Sequence, residues 1–249
     1  MKVVIIGGTG LIGSKVVTRL RQSGHEAVPA APATGVNTLT GEGLDAALDG
    51  AAAVVDVANS PSFDAAAVLE FFQTSTRNVA TAAMKAGVGH YVALSVVGTE
   101  RLPASGYFRA KVAQEQVIAE SGIPYTLVHA TQFFEFLAAI AQSATDASTV
   151  RIAPVLFQPI AADDVADVVA EVSAGTPLNG RIEIAGPDRF RFDELIRDFL
   201  HGKGDPREVV ADEHAPYFGA ELRWDSLVPG ANPRLGVRHL RDWLTEAAP

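Results

Sequence analysis

Cysteine is absent from this chain of 249 residues, and methionine and tryptophan occur only twice each. The absence of cysteine excludes a disulfide framework, a zinc site with cysteine ligands and a cysteine nucleophile. A chain of this length can bury a core large enough to fold without cross-links or a structural metal. A sequence without thiols also fits a reducing compartment, and we expect a cytoplasmic protein.

Basic residues are scarce too, with 20 lysines and arginines against 29 acidic residues and a formal net charge of −9. That balance argues against a nucleic-acid partner, because binding to a phosphate backbone depends on clustered cations. No apolar run approaches the roughly 18 residues that span a bilayer, so no membrane partner is expected. The six histidines lack the spacing of metal ligands, and no metal site is predicted.

Short apolar runs alternate with longer helical stretches in the first 130 residues. The predicted strands cover residues 3–6, 26–28, 53–57, 91–94 and 125–128, and the predicted helices cover 11–22, 64–85 and 105–120. Nearly continuous apolar strands connected by helices indicate a parallel sheet with helices on both faces. Right-handed crossovers then favour an α/β fold with a doubly wound, Rossmann-type sheet.

The pattern becomes irregular after about residue 130. Helices are predicted at 133–142, 164–172, 192–200 and 238–245, and a short strand at 181–184. The segments between them are rich in Gly, Pro and Asn, which is typical of loops. We interpret residues 1–249 as a single domain in which the part from about residue 130 onward forms a small C-terminal cap that binds substrate.

A glycine-rich turn connects the first predicted strand to the first predicted helix. Gly7, Gly10 and Gly13 have the spacing G-x-x-G-x-x-G. Such glycines allow a sharp turn, close approach of the backbone to a pyrophosphate and tight packing of the helix on the strand. Because the helix N-terminus also offers free N–H groups, the turn predicts binding of NAD or NADP. Residues 28–32 include neither the acidic residue typical of NAD sites nor the arginine typical of NADP sites, which leaves the choice open.

Tyr107 and Lys111 lie four residues apart in a predicted helix, so their side chains share one face. A nearby ammonium group and a helix N-terminus both favour the phenolate, and we expect them to lower the pKa of Tyr107. Ser105 is the predicted N-cap, which places Tyr107 in the first turn. The pattern predicts an acid–base tyrosine. The alternative is a surface tyrosine with a Lys111–Glu115 ion pair.

These features resemble the short-chain dehydrogenase/reductase superfamily: the glycine motif at 7–13, Ser95 at a strand end, and Tyr107 with Lys111 downstream. The stretches 94–98, 107–115, 125–133 and 159–166 resemble its atypical NmrA-like branch, so the similarity extends from Met1 to about Gly186. The resemblance implies a nicotinamide dinucleotide lying across the strand ends. Active members of the branch reduce quinones or carbonyls, whereas others only sense the redox state of the nucleotide.

The resemblance also implies roles for single residues. Tyr107 would donate the proton, Lys111 would hold the nicotinamide ribose and favour ionisation of Tyr107, and Ser95 would steady the substrate oxygen. His129 occupies a position where the branch often has arginine. Two-fold association through the long helices is common in the superfamily, so a homodimer is an alternative to a monomer.

Residues that follow the strand ends of such sheets face the ligand crevice. The predicted cofactor contacts are Gly7, Thr9, Gly10, Leu11, Ile12, Gly13, Ala58, Asn59, Lys111 and Thr131. The predicted substrate contacts are His129, Gln132, Phe133, Phe136 and Trp224. Because residues 133, 134 and 136 cannot all point one way on a helix, at least one of these phenylalanines belongs to the core. Tyr217 and Phe218 are further candidates to close over a flat apolar substrate.

We predict an NAD(P)H-dependent reductase that transfers hydride to a quinone or carbonyl of a small, planar aromatic substrate, with Tyr107 as the proton donor. The first alternative is a regulator that senses NAD(P) without turnover and binds a protein partner. Tyr107 and Lys111 weigh against it, because sensing needs neither. The second alternative is a sugar-nucleotide epimerase or dehydratase of the same superfamily, whose chains usually run longer.

Overall fold

Alternating strands and helices form the first 130 residues, as the apolar pattern predicts. The computed structural model describes residues 1–246, and positions 247–249 of the predicted domain lie outside the described residues. The first elements are β1 (Lys2–Ile6), α1 (Leu11–Gln22), β2 (Glu26–Ala30), α2 (Leu44–Leu48), β3 (Ala53–Asp56), α3 (Ala65–Lys85), β4 (His90–Val96), α4 (Gly106–Glu120) and β5 (Tyr125–Ala130). The short helix α2 is the element that the sequence analysis missed in this part.

The later elements are shorter and more varied. They are α5 (Leu137–Ser143), β6 (Thr145–Asp146), β7 (Thr149–Ile152), β8 (Leu156–Phe157), α6 (Ala162–Ala174), β9 (Gly180–Ala185), β10 (Phe190–Arg191), α7 (Phe192–Gly202), β11 (Glu208–Ala211), β12 (Arg234–Leu235) and α8 (Leu240–Glu246). Across residues 1–246, every helix is too short or too polar to span a lipid bilayer.

The main sheet has seven parallel strands in the order β2-β1-β3-β4-β5-β9-β12. The chain passes from β1 outward to β2 and then returns across β1 to β3, so the winding direction reverses between β1 and β3. In sheets of this kind the ligand crevice lies outside the carboxyl ends of the strands at that reversal. The predicted doubly wound α/β sheet is therefore confirmed.

The sheet is covered on both faces, which explains why its central strands are mostly apolar and buried. In β1, Val3 and Ile5 pack into a cluster with α1 and α6, whereas Val4 and Ile6 pack into a cluster with α2 and α3. Side chains of a strand alternate between faces, so a strand buried on both sides must be apolar at every position.

A second hydrophobic core lies in the C-terminal half. Strands β6, β7 and β11 form a small mixed sheet, and β8 pairs with β10 in an antiparallel ribbon. With α5 and α7 they enclose a cluster in which the rings of Phe157 and Phe192 stack 4.2 Å apart. Phe108 from α4 belongs to the same cluster, so this half packs against the helix that carries Tyr107.

Candidate active site

The glycine-rich turn leaves no room for a side chain at Gly7, Gly8 or Gly13. Gly7 has a positive φ of 77°, and a Cβ placed there would lie 2.9 Å from Cα of Ala58. A Cβ on Gly13 would lie only 2.2 Å from the carbonyl oxygen of Gly7. At Gly10, by contrast, the same oxygen at 3.3 Å is the one atom a Cβ would meet. Gly7 and Gly13 therefore serve the turn itself, whereas Gly10 borders open space.

Helix α1 begins directly after this turn and offers its N-terminus to the crevice. Gly10 is its N-cap, no side chain caps its first N–H groups, and its first turn contains no acidic residue. The first N–H groups of an α-helix lack partners within the helix, and they are carried here by Leu11, Ile12 and Gly13. Thr9 and Leu11 are exposed beside them. These residues fit the pyrophosphate of a nicotinamide dinucleotide.

Tyr107 lies in the first turn of α4, at the carboxyl edge of the sheet. Its hydroxyl donates a hydrogen bond to Oδ1 of Asn59, which follows β3, at 3.3 Å. The prediction of a lowered pKa is wrong, because burial raises the pKa of Tyr107 to about 12. The phenol is therefore protonated at neutral pH, the state that a proton donor requires. Ser105 occupies the N-cap position as predicted, but its side chain does not cap the helix.

Lys111 is buried within a polar network instead of reaching into the crevice. Its Nζ donates to the carbonyl oxygen of Leu94 at 2.9 Å and to Oε1 of Gln114, and it lies over the ring of Phe72. Gln114 in turn donates to Asp56 at 3.1 Å. The expected bias of Lys111 on Tyr107 is not found, since the nearest polar partners of its ammonium group belong to this network.

This network predicts a pH-dependent stability. Burial lowers the pKa of Lys111 from 10.5 to about 8, so between these values the folded protein binds fewer protons than the unfolded chain. Stability should therefore rise as the pH increases from about 8 towards 10. Urea unfolding across this range should show the rise in wild type and in Lys203→Met, but not in Lys111→Met. Equal slopes in wild type and Lys111→Met would contradict a lowered pKa of Lys111 in the folded protein.

Ser95 and His129 both contact Glu115 on α4. The Ser95 hydroxyl donates to Oε1 of Glu115, and Nε2 of His129 lies 3.2 Å from the same oxygen. Burial raises the pKa of Glu115, but the contacts with His129 and Ser95 outweigh it and hold that pKa below its usual value. Both side chains thus have a partner within the protein, and their contacts with substrate stay a prediction. The two residues are partners in register on β4 and β5, and they lie on the face that α4 covers.

The segment after β5 brings polar side chains into a buried setting. Oγ1 of Thr131 has no hydrogen-bond partner among residues 1–246, and Gln132 lies beside the hydroxyl of Tyr217. Buried polar groups without partners are rare in folded proteins, which keeps Thr131 a candidate for ligand contact.

The predicted aromatic contacts are found in different surroundings. Phe133 and Phe136 stack with ring centroids 5.3 Å apart, whereas Phe134 is fully buried, so one of the three belongs to the core as predicted. Trp224 is 59% exposed, and its carbonyl oxygen accepts a hydrogen bond from the backbone of Leu156. Trp224 is not among the residues that line the cavity beside Tyr107, and its contact with substrate stays a prediction.

A cavity of about 280 Å³ lies beside Tyr107 and has aromatic walls. Phe63, from the loop after β3, has its ring 5.9 Å from Tyr107 and 5.8 Å from Phe218. Phe218 belongs to a two-residue turn with Gly219 in which both φ angles are positive, a type I′ geometry that disfavours bulky residues. Contacts with Tyr217 at 4.8 Å and with Phe63 hold it there. Phe63 is not among the residues predicted from the sequence, although its position in the loop after the third strand could have indicated that it lies near the crevice.

Comparisons with known proteins agree with this geometry. Residues 7–174 match a family model described as NAD(P)H-binding. The chain is 31% identical to the (4-alkanoyl-5-oxo-2,5-dihydrofuran-3-yl)methyl phosphate reductase of Streptomyces griseus, over 99% of this chain and 98% of that protein. This relative supports an oxidoreductase that works as an NAD(P)H-dependent reductase.

Two solved structures share the fold. An NADPH-dependent quinone oxidoreductase from Escherichia coli, complexed with NADPH, is 23% identical with a TM-score of 0.65, covering 84% of this chain and 77% of that one. A short-chain dehydrogenase/reductase superfamily protein from Agrobacterium tumefaciens, with bound NAD, is 16% identical with a TM-score of 0.74, covering 99% and 96%. The chain belongs to the NAD(P)H-binding family.

Proposed function

We propose that this protein reduces conjugated carbonyl compounds, such as quinones and unsaturated ketones or lactones, with NAD(P)H as the electron donor and Tyr107 as the proton donor. The observation that carries the proposal is the position of Tyr107, whose hydroxyl bonds to Asn59 and whose ring forms part of the wall of an aromatic cavity at the crevice of the sheet. The nicotinamide, when bound, supplies hydride. The acceptor gains that hydride and one proton.

The residues of the chain divide this work. Tyr107 gives its proton to the acceptor oxygen as negative charge develops there. Asn59 accepts the hydrogen bond of Tyr107 and so orients the phenol. Phe63 and Phe218 offer ring faces on which a flat acceptor can stack. The C-terminal half supplies Phe218 and is the proposed substrate cap.

The curated relative supports this substrate class. The compound in its name is an unsaturated lactone that carries an acyl group, so its ring double bond is conjugated with two carbonyls. A quinone has the same chemical property, because hydride addition to either compound places negative charge on an oxygen that a phenol can protonate.

The direct test is oxidation of NADH and of NADPH by the wild type, followed by absorbance, with naphthoquinones, aliphatic enones and acylated unsaturated lactones as acceptors. We expect turnover with at least one acceptor class and a preference for one nucleotide. Nucleotide binding without oxidation across all three classes would overturn the proposal and favour a sensor of NAD(P).

Phe63→Ala should raise KM for a naphthoquinone by roughly 5- to 10-fold, because an aromatic pair contributes about 0.5–1.5 kcal/mol beyond its buried area. The nucleotide Kd should stay unchanged, since Phe63 lines the cavity beside Tyr107 and this cavity includes no residue of the glycine-rich turn. Leu178→Ala is the control, because Leu178 is an exposed apolar residue distant in sequence from the cavity. Steady-state kinetics measure both variants. An unchanged KM in Phe63→Ala would show that Phe63 does not contact the substrate.

A further inference from the structure

Helix α4 begins at the cavity with an N-terminus that no side chain caps. The helix has 15 residues and no acidic residue in its first turn. Ser105, at the N-cap, is fully buried and lines the cavity, yet its hydroxyl has no hydrogen-bond partner among residues 1–246. A serine at this position normally accepts a hydrogen bond from the helix. The hydroxyl and the first N–H groups of α4 therefore lack protein partners at the same place.

Arg109 adds a positive charge to this place. It lines the same cavity one turn into α4, and its Nη1 donates to the carbonyl oxygens of Pro103 and Ala104 at 2.7 and 2.8 Å. Those two bonds fix the guanidinium close to the start of the helix. No carboxylate forms a salt bridge with Arg109 in the part of the chain that the structure describes.

The neighbouring helix α3 also begins at this edge, but its N-terminus is satisfied. A Cβ on Gly106 would lie 2.6 Å from Cβ of Ala65, so the two helix starts are in direct contact. Asp64 caps α3 by accepting hydrogen bonds from the N–H groups of Ala66 and Ala67. The carboxylate of Asp64 is therefore bonded to the first turn of α3 and caps that helix. The open N-terminus at the cavity is that of α4.

We propose that Ser105, the first N–H groups of α4 and Arg109 bind a phosphate monoester on the substrate; this inference rests on the proposed function and specifies its substrate. A phosphate dianion matches both the helix dipole and a guanidinium. Tyr107 is two residues after Ser105, so the reacting carbonyl and the phosphate would occupy one small cavity. The relative from Streptomyces griseus is named for a substrate whose lactone ring carries a methyl phosphate group, which agrees with this chemistry.

A binding experiment tests the site without turnover. The protein is first saturated with NAD⁺ or NADP⁺, which fills the pyrophosphate site at α1, and calorimetry then measures the Kd of phenyl phosphate, benzoate and benzyl alcohol. We expect phenyl phosphate to bind at least 10-fold more tightly than benzyl alcohol, with benzoate between them. Phenyl phosphate that binds no better than benzyl alcohol would overturn the site.

Three variants separate a ligand role from a structural one. Arg109→Gln should weaken phenyl phosphate binding at least 10-fold and leave benzyl alcohol binding within 2-fold, whereas Arg241→Gln, at an exposed residue, should change neither. Ser105→Asp keeps a good N-cap residue but places a negative charge at the site, so it should abolish phosphate binding while the helix stays capped. Unchanged phenyl phosphate affinity in Arg109→Gln and Ser105→Asp would contradict the proposal.

Kinetics distinguish failure of the site from failure of the function. An acylated unsaturated lactone with a methyl phosphate and the corresponding alcohol are compared as acceptors in wild type and Arg109→Gln. The site predicts that the variant loses at least 10-fold of the wild-type preference for the phosphate in kcat/KM. Equal reduction of both acceptors by the wild type would refute the phosphate site but not the reductase activity. Binding of phenyl phosphate without reduction of either acceptor would refute the reductase activity but not the phosphate site.

Discussion

Tyr107→Phe is expected to lower kcat with a quinone or enone by roughly 100-fold or more, within the range of about 10²–10⁴ that a positioned general acid contributes. The nucleotide Kd should stay within about 2-fold of wild type, because the change removes one hydroxyl and keeps the ring. That ring retains its contacts with Phe63, Phe72 and Phe108, so the fold around it should persist. Steady-state kinetics and nucleotide titration together measure the two effects.

The matched control is Tyr125→Phe, which removes a hydroxyl from a tyrosine on β5 and should leave kcat unchanged. The pH profile offers a second readout. Because burial raises the pKa of Tyr107 to about 12, the phenol stays protonated across the neutral range, and kcat should show no loss from its ionisation below about pH 10. A kcat for Tyr107→Phe equal to that of wild type would show that another group or water supplies the proton.

Gly13→Ala should destabilise the protein and abolish nucleotide binding. A Cβ there would lie 2.2 Å from the carbonyl oxygen of Gly7 and 2.7 Å from Cα of Gly8, and both are backbone atoms that cannot move without opening the turn. Overpacking of this kind typically costs about 1–3 kcal/mol. We expect a lower Tm and a nucleotide Kd raised by 100-fold or more, measured by thermal unfolding and by titration.

Gly10→Ala is the matched comparison, since it makes the same chemical change three residues earlier. A Cβ at Gly10 would meet only the carbonyl oxygen of Gly7, at 3.3 Å, and its φ of −80° suits any residue. The variant should therefore keep the wild-type Tm and lose affinity for the nucleotide, because the methyl group occupies space that the pyrophosphate approaches. Wild-type nucleotide affinity in Gly13→Ala would refute the assignment of this turn to the cofactor.

The main sheet could be predicted from the sequence because its signal is local. Strands β1, β3, β4 and β5 are largely apolar and buried, β2 is a shorter apolar run at the edge, and a helix separates each strand from the next. Strands β6 to β8 and β10 to β12 were missed because they are two to four residues long. Their pairing depends on contacts between distant segments, such as the stack of Phe157 on Phe192, which no short window of sequence contains.

The sequence could predict which residues lie near the crevice, because their position along the chain determines this. It could not predict in which direction each side chain points. Tyr107 and Asn59 were both predicted at the crevice, and the structure joins them by a hydrogen bond. Ser95 and His129 also lie near strand ends, but their side chains point to the face under α4, where Glu115 binds both. The face of the sheet to which a strand side chain points relative to α4 follows from packing that the sequence pattern does not reveal.

The most direct test of the central claim follows deuterium from the cofactor into the product. Wild-type protein is given NADH or NADPH in which both hydrogens at C4 of the nicotinamide are replaced by deuterium, with a conjugated enone as acceptor, and mass spectrometry and NMR locate the label. A reductase of the proposed kind places one deuterium on a carbon of the reduced acceptor for each nucleotide oxidised, and the exchangeable proton comes from the protein and solvent. Oxidation of the nucleotide without label in the product, or binding without oxidation, would contradict it.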